Sequence, residues 1–461
     1  MKKKFITTGI ALVSFLSMYA GGLLTNTNQN VSFLRNPARG ASMEIDAAYT
    51  NPAGLAFLKK DGFYLSLNNQ SAFQTRTITA TFAPFAGFGG SATKEFEGKA
   101  KALAIPNIQA AYKTGDWAFS TNIGVVGGGG TLDFSKGLPS FESTVAIAPL
   151  LLNGATQSTN FSGYSLESQL KGSSMTIGAQ FGATYKIVDN FSAYAGFRFN
   201  YVSNSYDGYL KDIKIGMGGN LVAASDLLKN PALAALAPLL SEKKLDCKQK
   251  GSGIAPIVGF DFNWERLNIG MKYEFKTALK LKNETATNST GVKDYDDGAE
   301  IPYDIPALFT AGISYDIIPK LTVSASYHHF FDSDAKMAND KQKFINGGVN
   351  EYLAGLEYRI NDLFLVSCGT QFTRQGVTDD YQTDMSFSIN SYSLGFGGAV
   401  NLTKNLRLNL AYFFTNYDDW TKNMSDYGKL HVLVSSFPAM SGTDIFARTN
   451  QSFGIGLDFR F

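Results

Sequence analysis

The chain has 461 residues, and 41 Lys and Arg balance 39 Asp and Glu to a formal net charge of +2. This balance excludes the basic footprint typical of a nucleic-acid-binding protein. The 46 Gly, 36 Phe and 22 Tyr favour β-strands that are apolar on one face only.

The N-terminus has the organisation of a secretion signal. Lys2 to Lys4 form a basic start, Phe5 to Met18 form an apolar core too short to cross a bilayer, and small residues follow at 20–22. We therefore expect residues 1–20 to be a signal peptide and the mature protein to be exported. The rest of the chain contains no apolar run near the roughly 20 residues that a transmembrane helix needs.

Residues 21–62 contain two Asn-Pro-Ala turns, in "LRNPARGA" at 34–41 and "AYTNPAGLAF" at 48–57. Pro fixes φ and Asn can cap its own turn, so each copy suits a tight corner. Apolar residues cluster around both turns, which is unlike a polar linker. The segment is predicted to be a plug, and its turns could be either rigid corners or part of a gate.

Fourteen segments with period-two alternation follow, with boundaries uncertain by about two to four residues. In the last, "QSFGIGLDFRF", the odd positions from Phe453 to Phe461 are apolar and the even positions are small or charged. The predicted strands lie near 63–81, 102–113, 117–126, 174–187, 191–208, 253–263, 266–276, 306–316, 321–331, 351–360, 363–373, 391–401, 406–416 and 451–461.

Short and long connections alternate between these strands, which is typical of transmembrane barrels with short periplasmic turns and long external loops. Charged side chains on one face must then point into the lumen, because a lipid-facing Lys or Arg at the midplane costs about 2–4 kcal/mol. The predicted fold is all-β: a 14-stranded antiparallel transmembrane β-barrel over residues 63–461, with residues 21–62 as an N-terminal hatch inside the lumen.

Two long loops contain apolar stretches that predict short helices. "FESTVAIAPLLL" spans 141–152, and the second lies near 225–240, where Asn230 can cap a helix that begins at Pro231. The two could pack against each other over the barrel mouth, or offer an external landing site for a hydrophobic ligand. Both roles are compatible.

The stretch "DAAYTNPAGLAFL" resembles the N-terminal signature of the FadL family of outer-membrane channels for long-chain fatty acids and other hydrophobic compounds. The resemblance implies a fourteen-stranded barrel with a hatch, in which Asn51, Pro52, Ala53 and Gly54 form the gate. The earlier copy, at 36–38, departs from the single motif of that family.

The resemblance also implies a sideways opening at a kink in the third strand. The glycines that would form it are Gly127, Gly128, Gly129 and Gly130, although such a run could equally be a flexible start to a loop.

A fatty acid carries a carboxylate, so a lumenal cation is expected on its path. Alternation places four cations inward, and each could contact the ligand or instead pair with the lumenal acids Asp261, Glu274 and Glu357. The four are Arg198, Lys272, Arg359 and Arg407.

The function expected from these features is passive uptake of hydrophobic molecules, foremost long-chain fatty acids, across the outer membrane. The alternatives are a channel for aromatic hydrocarbons or other hydrophobic compounds, and a general polar porin, which would need neither the plug nor the apolar loops. An enzyme is the third alternative, because the histidines form no evident catalytic cluster. Period-two alternation places His328 and His329 on opposite faces of a strand, and His431 lies in a loop.

No metal and no cofactor are expected, since the acidic stretch at 294–300 lacks the EF-hand pattern. Cys247 and Cys368 could form a disulfide or remain free thiols. The expected partners are hydrophobic small molecules, outer-membrane lipid and lipopolysaccharide, and the barrel-assembly machinery through the C-terminal Phe461. Nucleic acid is not expected as a partner, and the protein is expected to be a monomer.

Overall fold

The computed structural model describes residues 25–429, 431 and 438–461. The expected signal peptide, residues 1–20, lies outside the described residues, as does the start of the expected hatch at 21–24. No helix in the described part of the chain is long and apolar enough to cross a membrane.

The described residues form one antiparallel sheet of eighteen strands. In chain order the strands are β1 (Gly62–Phe82), β2 (Thr93–Thr114), β3 (Trp117–Phe134), β4 (Phe161–Val188), β5 (Phe191–Met217), β6 (Asn220–Ala223), β7 (Lys243–Trp264), β8 (Leu267–Glu274), β9 (Lys280–Asn288), β10 (Glu300–Pro302), β11 (Leu308–Ile318), β12 (Leu321–Phe330), β13 (Asn350–Arg359), β14 (Phe364–Arg374), β15 (Ser391–Thr403), β16 (Leu406–Tyr417), β17 (Trp420–Met424) and β18 (Gly442–Arg460).

The sheet closes on itself. The first strand pairs with β2 on one side and with β18 on the other, from Tyr64 opposite Arg460 to Phe82 opposite Gly442. Four short strands, β6, β9, β10 and β17, belong to the long connections, and the other fourteen form the wall. The predicted fourteen-stranded antiparallel barrel is therefore confirmed, and closure pairs the backbone groups that a free edge would expose.

The wall has two distinct ends. Six short connections, near 115–116, 189–190, 265–266, 319–320, 360–363 and 404–405, lie at what we call the turn end. The long connections lie at the opposite, loop end, at 83–92, 135–160, 218–242, 275–307, 331–349, 375–390 and 418–441.

Several strands are longer at the loop end than the sequence predicted. β4 begins at Phe161 rather than near 174, and β7 begins at Lys243 rather than near 253. Backbone pairing continues beyond the apolar band, where polar residues occupy both faces and the period-two signal is lost. One consequence is that Cys247, which precedes the predicted start of this strand, is buried inside β7; both cysteines are free.

The two faces of the wall differ as the alternation predicted. Large aromatic side chains lie on the exterior, and five of them are 43–52% exposed: Phe119, Phe181, Phe197, Phe260 and Phe396. Polar side chains lie on the interior face, and five of them are at most 1% exposed: Asn122, Gln180, Arg198, Asp261 and Asn409.

The N-terminal segment, residues 25–61, folds inside the barrel. It contains α1 (Val31–Arg35), α2 (Ala47–Thr50) and a 3-10 helix (Pro52–Phe57). Asn30 begins α1 by accepting a hydrogen bond from the Ser32 amide at 2.8 Å. Most residues of the segment are buried, because the barrel wall surrounds it, whereas residues 59–61 at its end are exposed.

Short helices of two long connections pack together at the loop end. The first connection carries α3 (Pro139–Ala146) and α4 (Ala148–Thr156), and the second carries α5 (Ala224–Leu227), a 3-10 helix (Pro231–Leu236) and α6 (Ala237–Leu240). Their apolar side chains share one buried cluster with β1 and β5, which closes the mouth on this side. Leu150 and Leu221 of the same connections are more than 40% exposed.

Candidate functional site

The wall is interrupted between β2 and β3. Their pairing skips from Lys101 opposite Thr131 to Asn107 opposite Gly124. The glycine run lies in this interval, inside β3 rather than after its end as the sequence predicted. Gly128 has φ of +68°, and an added Cβ there would overlap the Ser174 carbonyl oxygen of β4. The run therefore needs glycine to bend β3 away from β2 while keeping β4 paired.

The start of the N-terminal segment is bonded to this wall gap. Thr25 forms an isolated antiparallel bridge with Gly127. The Asn26 backbone amide donates to the Val126 carbonyl at 2.8 Å, and the Asn26 side chain donates to the Gly128 carbonyl at 2.9 Å. A movement of residues 25–26 would thus expose backbone groups of the gap.

The second Asn-Pro-Ala turn is held by side chains of the wall. Asn51 Nδ2 donates to the Ser42 carbonyl at 3.0 Å and to the Asp261 carboxyl group. The Thr184 hydroxyl donates to the Pro52 carbonyl at 2.7 Å, and the Ser192 hydroxyl donates to the Ala53 carbonyl at 2.8 Å. Gly54 follows, where an added Cβ would overlap the same Ser42 carbonyl.

The first Asn-Pro-Ala turn meets a different arc of the wall. Asn36 accepts from the Ala38 amide at 3.1 Å and donates to the Ser324 hydroxyl of β12 at 3.3 Å. Gly355 of β13 lies against the Asn36 amide, and any side chain there would overlap it. The first copy therefore braces the segment against β12 and β13, and the second against β4, β5 and β7, with fewer polar contacts in the first case.

Two of the predicted lumenal cations, Arg198 and Lys272, meet at Tyr49 of α2. Their charged groups lie 4.8 and 4.4 Å from the centre of its ring. Arg198 also pairs with Glu274, and Lys272 donates to the Tyr49 carbonyl at 2.8 Å. Both cations are at most 2% exposed, so they clamp the N-terminal segment to the wall.

The other two predicted cations lie elsewhere. Arg407 pairs with Glu44 of the N-terminal segment at 2.9 Å, and Arg359 is exposed at the turn end. The acid Glu357, expected among the wall partners, instead pairs at 2.6 Å with the buried Arg35 of α1. The four cations therefore do not converge on one site.

The two neighbouring histidines point to opposite faces of β12, as period two predicted. His328 is 5% exposed and lies 2.8 Å from the Glu351 carboxyl group inside the barrel. His329 lies on the other face, where its ring contacts Phe331 at 4.5 Å.

A cavity of about 270 Å³ lies in the lumen beside the wall gap. Its floor includes Asn26 and Asn28 of the N-terminal segment, and one side is the glycine run 128–130. Apolar side chains form much of the remaining wall. They are Ile105, Leu132, Phe134, Leu170, Met385 and Phe387.

Two arginines, Arg76 of β1 and Arg448 of β18, face this cavity from directly paired positions. Among the described residues, neither arginine takes part in an ion pair, and Arg448 Nε is buried without a hydrogen-bond partner. Arg76 Nε donates to the Gln74 side chain at 2.9 Å. Like charges opposite each other across a strand pair are destabilising, so this arrangement favours an anion between them.

The sequence analysis missed both arginines, although a signal exists for each. In β1 the even-numbered side chains face the lumen, from Ser66, Asn68 and Gln70 on to Arg76. In β18 the alternation of the last eleven residues continues back to Arg448, which the predicted strand excluded. Alternation along the predicted first strand, which already includes Arg76, and extension of the last strand back to Arg448 would have placed both side chains inside.

A second pocket, of about 570 Å³, lies at the turn end under the N-terminal segment. It is bounded by Ile45 and Leu58 of that segment and by Leu406, Arg407 and Phe459 of the wall. The Arg407–Glu44 pair thus stands at the border of this pocket.

No protein-family model and no curated protein matches the chain. Solved structures do. A FadL homologue from Pseudomonas aeruginosa is 15% identical with a TM-score of 0.63, over 96% of this chain and 100% of that one. The toluene transporters TodX of Pseudomonas putida and TbuX of Ralstonia pickettii are 15% and 16% identical, with TM-scores of 0.53 and 0.52. They cover 91% and 92% of this chain, and 94% and 98% of their own. The chain has the fold of these barrels.

Proposed function

We propose that this protein is an outer-membrane channel of the FadL family for passive uptake of hydrophobic molecules, and that long-chain fatty acids are its ligands. The shared fold, the apolar exterior and the lumen filled by residues 25–61 support the channel class. An exterior of exposed aromatic side chains suits contact with lipid.

The observation that carries the ligand class is the arginine pair in a cavity that also has apolar lining side chains. Partly burying two unpaired guanidinium groups is costly unless a charge compensates for it. A carboxylate supplies that charge and can accept two parallel hydrogen bonds from one guanidinium group. An aromatic hydrocarbon carries no charge and would leave Arg76 and Arg448 uncompensated.

The path follows from the position of the cavity. Ligand meets the apolar helices at the loop end, and its head group binds between Arg76 and Arg448. Its tail lies along Leu132 and Leu170 toward the wall gap at Gly127–Gly130. Release is sideways through that gap, or to the turn end, when the contacts of Asn51 and Asn26 yield.

The test compares ligands with the same tail and different head groups. Purified barrel in detergent is titrated with oleate and with oleyl alcohol, using the wild type and the Arg76→Met, Arg448→Met double variant. We expect the wild type to prefer oleate and the double variant to lose that preference. Arg374→Met is the matched control, because that arginine is exposed at the loop end.

Equal affinity of the wild type for oleate and its alcohol would contradict the fatty-acid proposal. An aromatic-hydrocarbon channel is the second candidate, favoured by the fold that the chain shares with the two toluene transporters. Reconstituted barrels that take up toluene but not oleate would favour it. Flux of a small sugar without oleate preference would indicate a polar porin.

The location and assembly are part of the same proposal. The chain is exported, inserts in the outer membrane as a monomer beside lipopolysaccharide, and is recognised by the assembly machinery through Phe461. That residue is 71% exposed, and its ring lies 6.2 Å from Phe459 and 6.0 Å from Phe63.

A further inference from the structure

Each arginine of the cavity lies over an aromatic ring. The guanidinium carbon of Arg76 lies 5.6 Å from the ring centre of Phe387, and that of Arg448 lies 4.8 Å from the ring centre of Tyr417. A guanidinium group beside a ring keeps parallel N–H donors for an anion, but the ring restricts the directions from which a ligand can reach them. An anion therefore approaches Arg76 on the side away from Phe387, and Arg448 on the side away from Tyr417.

The ring over Arg76 comes from a loop and not from the wall. Residues 375–390, between β14 and β15, fold into the barrel, and Phe387 is 5% exposed. The tip has a preset shape, since the Gln382 side chain exchanges two hydrogen bonds with the Ser388 backbone, at 2.6 and 2.9 Å. The Phe387 ring also packs 4.9 Å from Phe446 of β18.

Three neighbouring elements hold this loop tip in place. Lys341 donates to the Ser386 carbonyl at 3.2 Å, and Lys422 donates to the Gln382 carbonyl at 2.8 Å. The Ser140 amide at the start of α3 donates to the Asp384 carboxylate at 2.8 Å. Because the tip is tied on three sides, Phe387 resists displacement by a bulky head group.

We propose that Phe387 determines head-group specificity by restricting the Arg76–Arg448 site to a slim, planar carboxylate without branches next to it. This inference rests on the proposed function, because it concerns the same cavity. Tyr417 limits Arg448 in the same way. Substituents on the carbon beside the carboxylate would meet the Phe387 ring, whereas an unbranched chain would clear it.

The experiment compares palmitate with 2,2-dimethylpalmitate, which has two methyl groups beside the carboxylate. Their dissociation constants are measured for the wild type, Phe387→Ala and Phe387→Leu. The wild type is expected to bind the branched acid about tenfold or more weakly, as for small steric differences in a tight site. Phe387→Ala is expected to bring the ratio close to one, and Phe387→Leu to an intermediate value.

Ile389→Ala is the matched control, because Ile389 is a buried side chain of the same loop that is not among the residues lining the cavity. It should leave the ratio near the wild-type value. A wild-type ratio near one, an unchanged ratio in Phe387→Ala, or an equal collapse in Ile389→Ala would overturn the inference. If the wild type also fails to prefer oleate over oleyl alcohol, the proposed function is contradicted. If the wild type keeps that preference, only the proposed role of Phe387 is contradicted.

Discussion

The two Asn-Pro-Ala turns allow a matched test of how the N-terminal segment is seated. Asn51→Ala removes a side chain that bonds the Ser42 carbonyl and the Asp261 carboxyl group, while Asn36→Ala removes the equivalent side chain of the first copy. Both positions are at most 3% exposed, so the two substitutions remove the same atoms from similarly buried sites.

The expected magnitudes differ because the partners differ. Asn51→Ala leaves the buried Ser42 carbonyl without this donor and deprives Asp261 of one of two donors, which should cost about 2–3 kcal/mol in seating free energy. Asn36→Ala breaks a 3.3 Å contact to Ser324, whose hydroxyl keeps a carbonyl partner, and a local 3.1 Å bond from the Ala38 amide, and should cost about 0.5–1.5 kcal/mol. At about 1.4 kcal/mol per factor of ten, Asn51→Ala should raise the unseated population roughly 30- to 150-fold.

Hydrogen exchange of the reconstituted barrel measures that population. Amides of residues 47–57 should exchange faster by the same factor in Asn51→Ala, and by about tenfold or less in Asn36→Ala. Exchange in the wall strands should change little, and oleate uptake should respond more to Asn51→Ala. Equal effects of the two substitutions, or protection of 47–57 unchanged in Asn51→Ala, would refute the reasoning.

Three further predictions concern the wall, a loop and α1. Gly128→Ala should weaken folding or uptake, because its Cβ would overlap the Ser174 carbonyl at a positive φ. Gly130→Ala should be tolerated, since the nearest atom to its Cβ would lie at an ordinary contact distance of 3.6 Å. The two variants are compared by refolding yield and by oleate uptake. Burial raises the pKa of Asp332, in the loop after β12, to about 7. The folded state then binds more protons than the unfolded state between about pH 4 and 7, so local stability should fall as pH rises through that window. Asp332→Asn should remove this pH-dependent fall in stability, measured as the hydrogen-exchange protection of residues 331–349. Arg35→Met removes the nearer cation of the half-buried Glu357, which keeps Arg39 at 3.9 Å, and should cost about 1.5–3 kcal/mol, seen as lost protection of α1; a loss below about 0.5 kcal/mol would contradict this account.

The sequence by itself determined the barrel, because the physical constraint is local and repeated. A wall with an apolar outside and a polar inside needs period two in every strand, and short turns must alternate with long loops. All fourteen wall strands were predicted from those two signals. Period-two alternation ends where the strands leave the apolar band, because neither face has to be apolar there. β7 therefore begins ten residues before its predicted start.

Only the tertiary structure decided which lumenal groups are free to meet a ligand. Alternation places Arg198 and Arg407 inside the barrel, as it does Arg76 and Arg448. Arg198 and Arg407, however, form ion pairs with Glu274 and Glu44. For Arg407 that difference depends on where the N-terminal segment lies, and hence on a contact between residues 363 positions apart, whereas Arg198 pairs with Glu274 of a neighbouring part of the wall. The ring of Phe387 over Arg76 is likewise set by the inward fold of a loop, for which no periodic pattern exists. Parity along a strand is a local property, whereas charge neutralisation and access belong to the closed barrel.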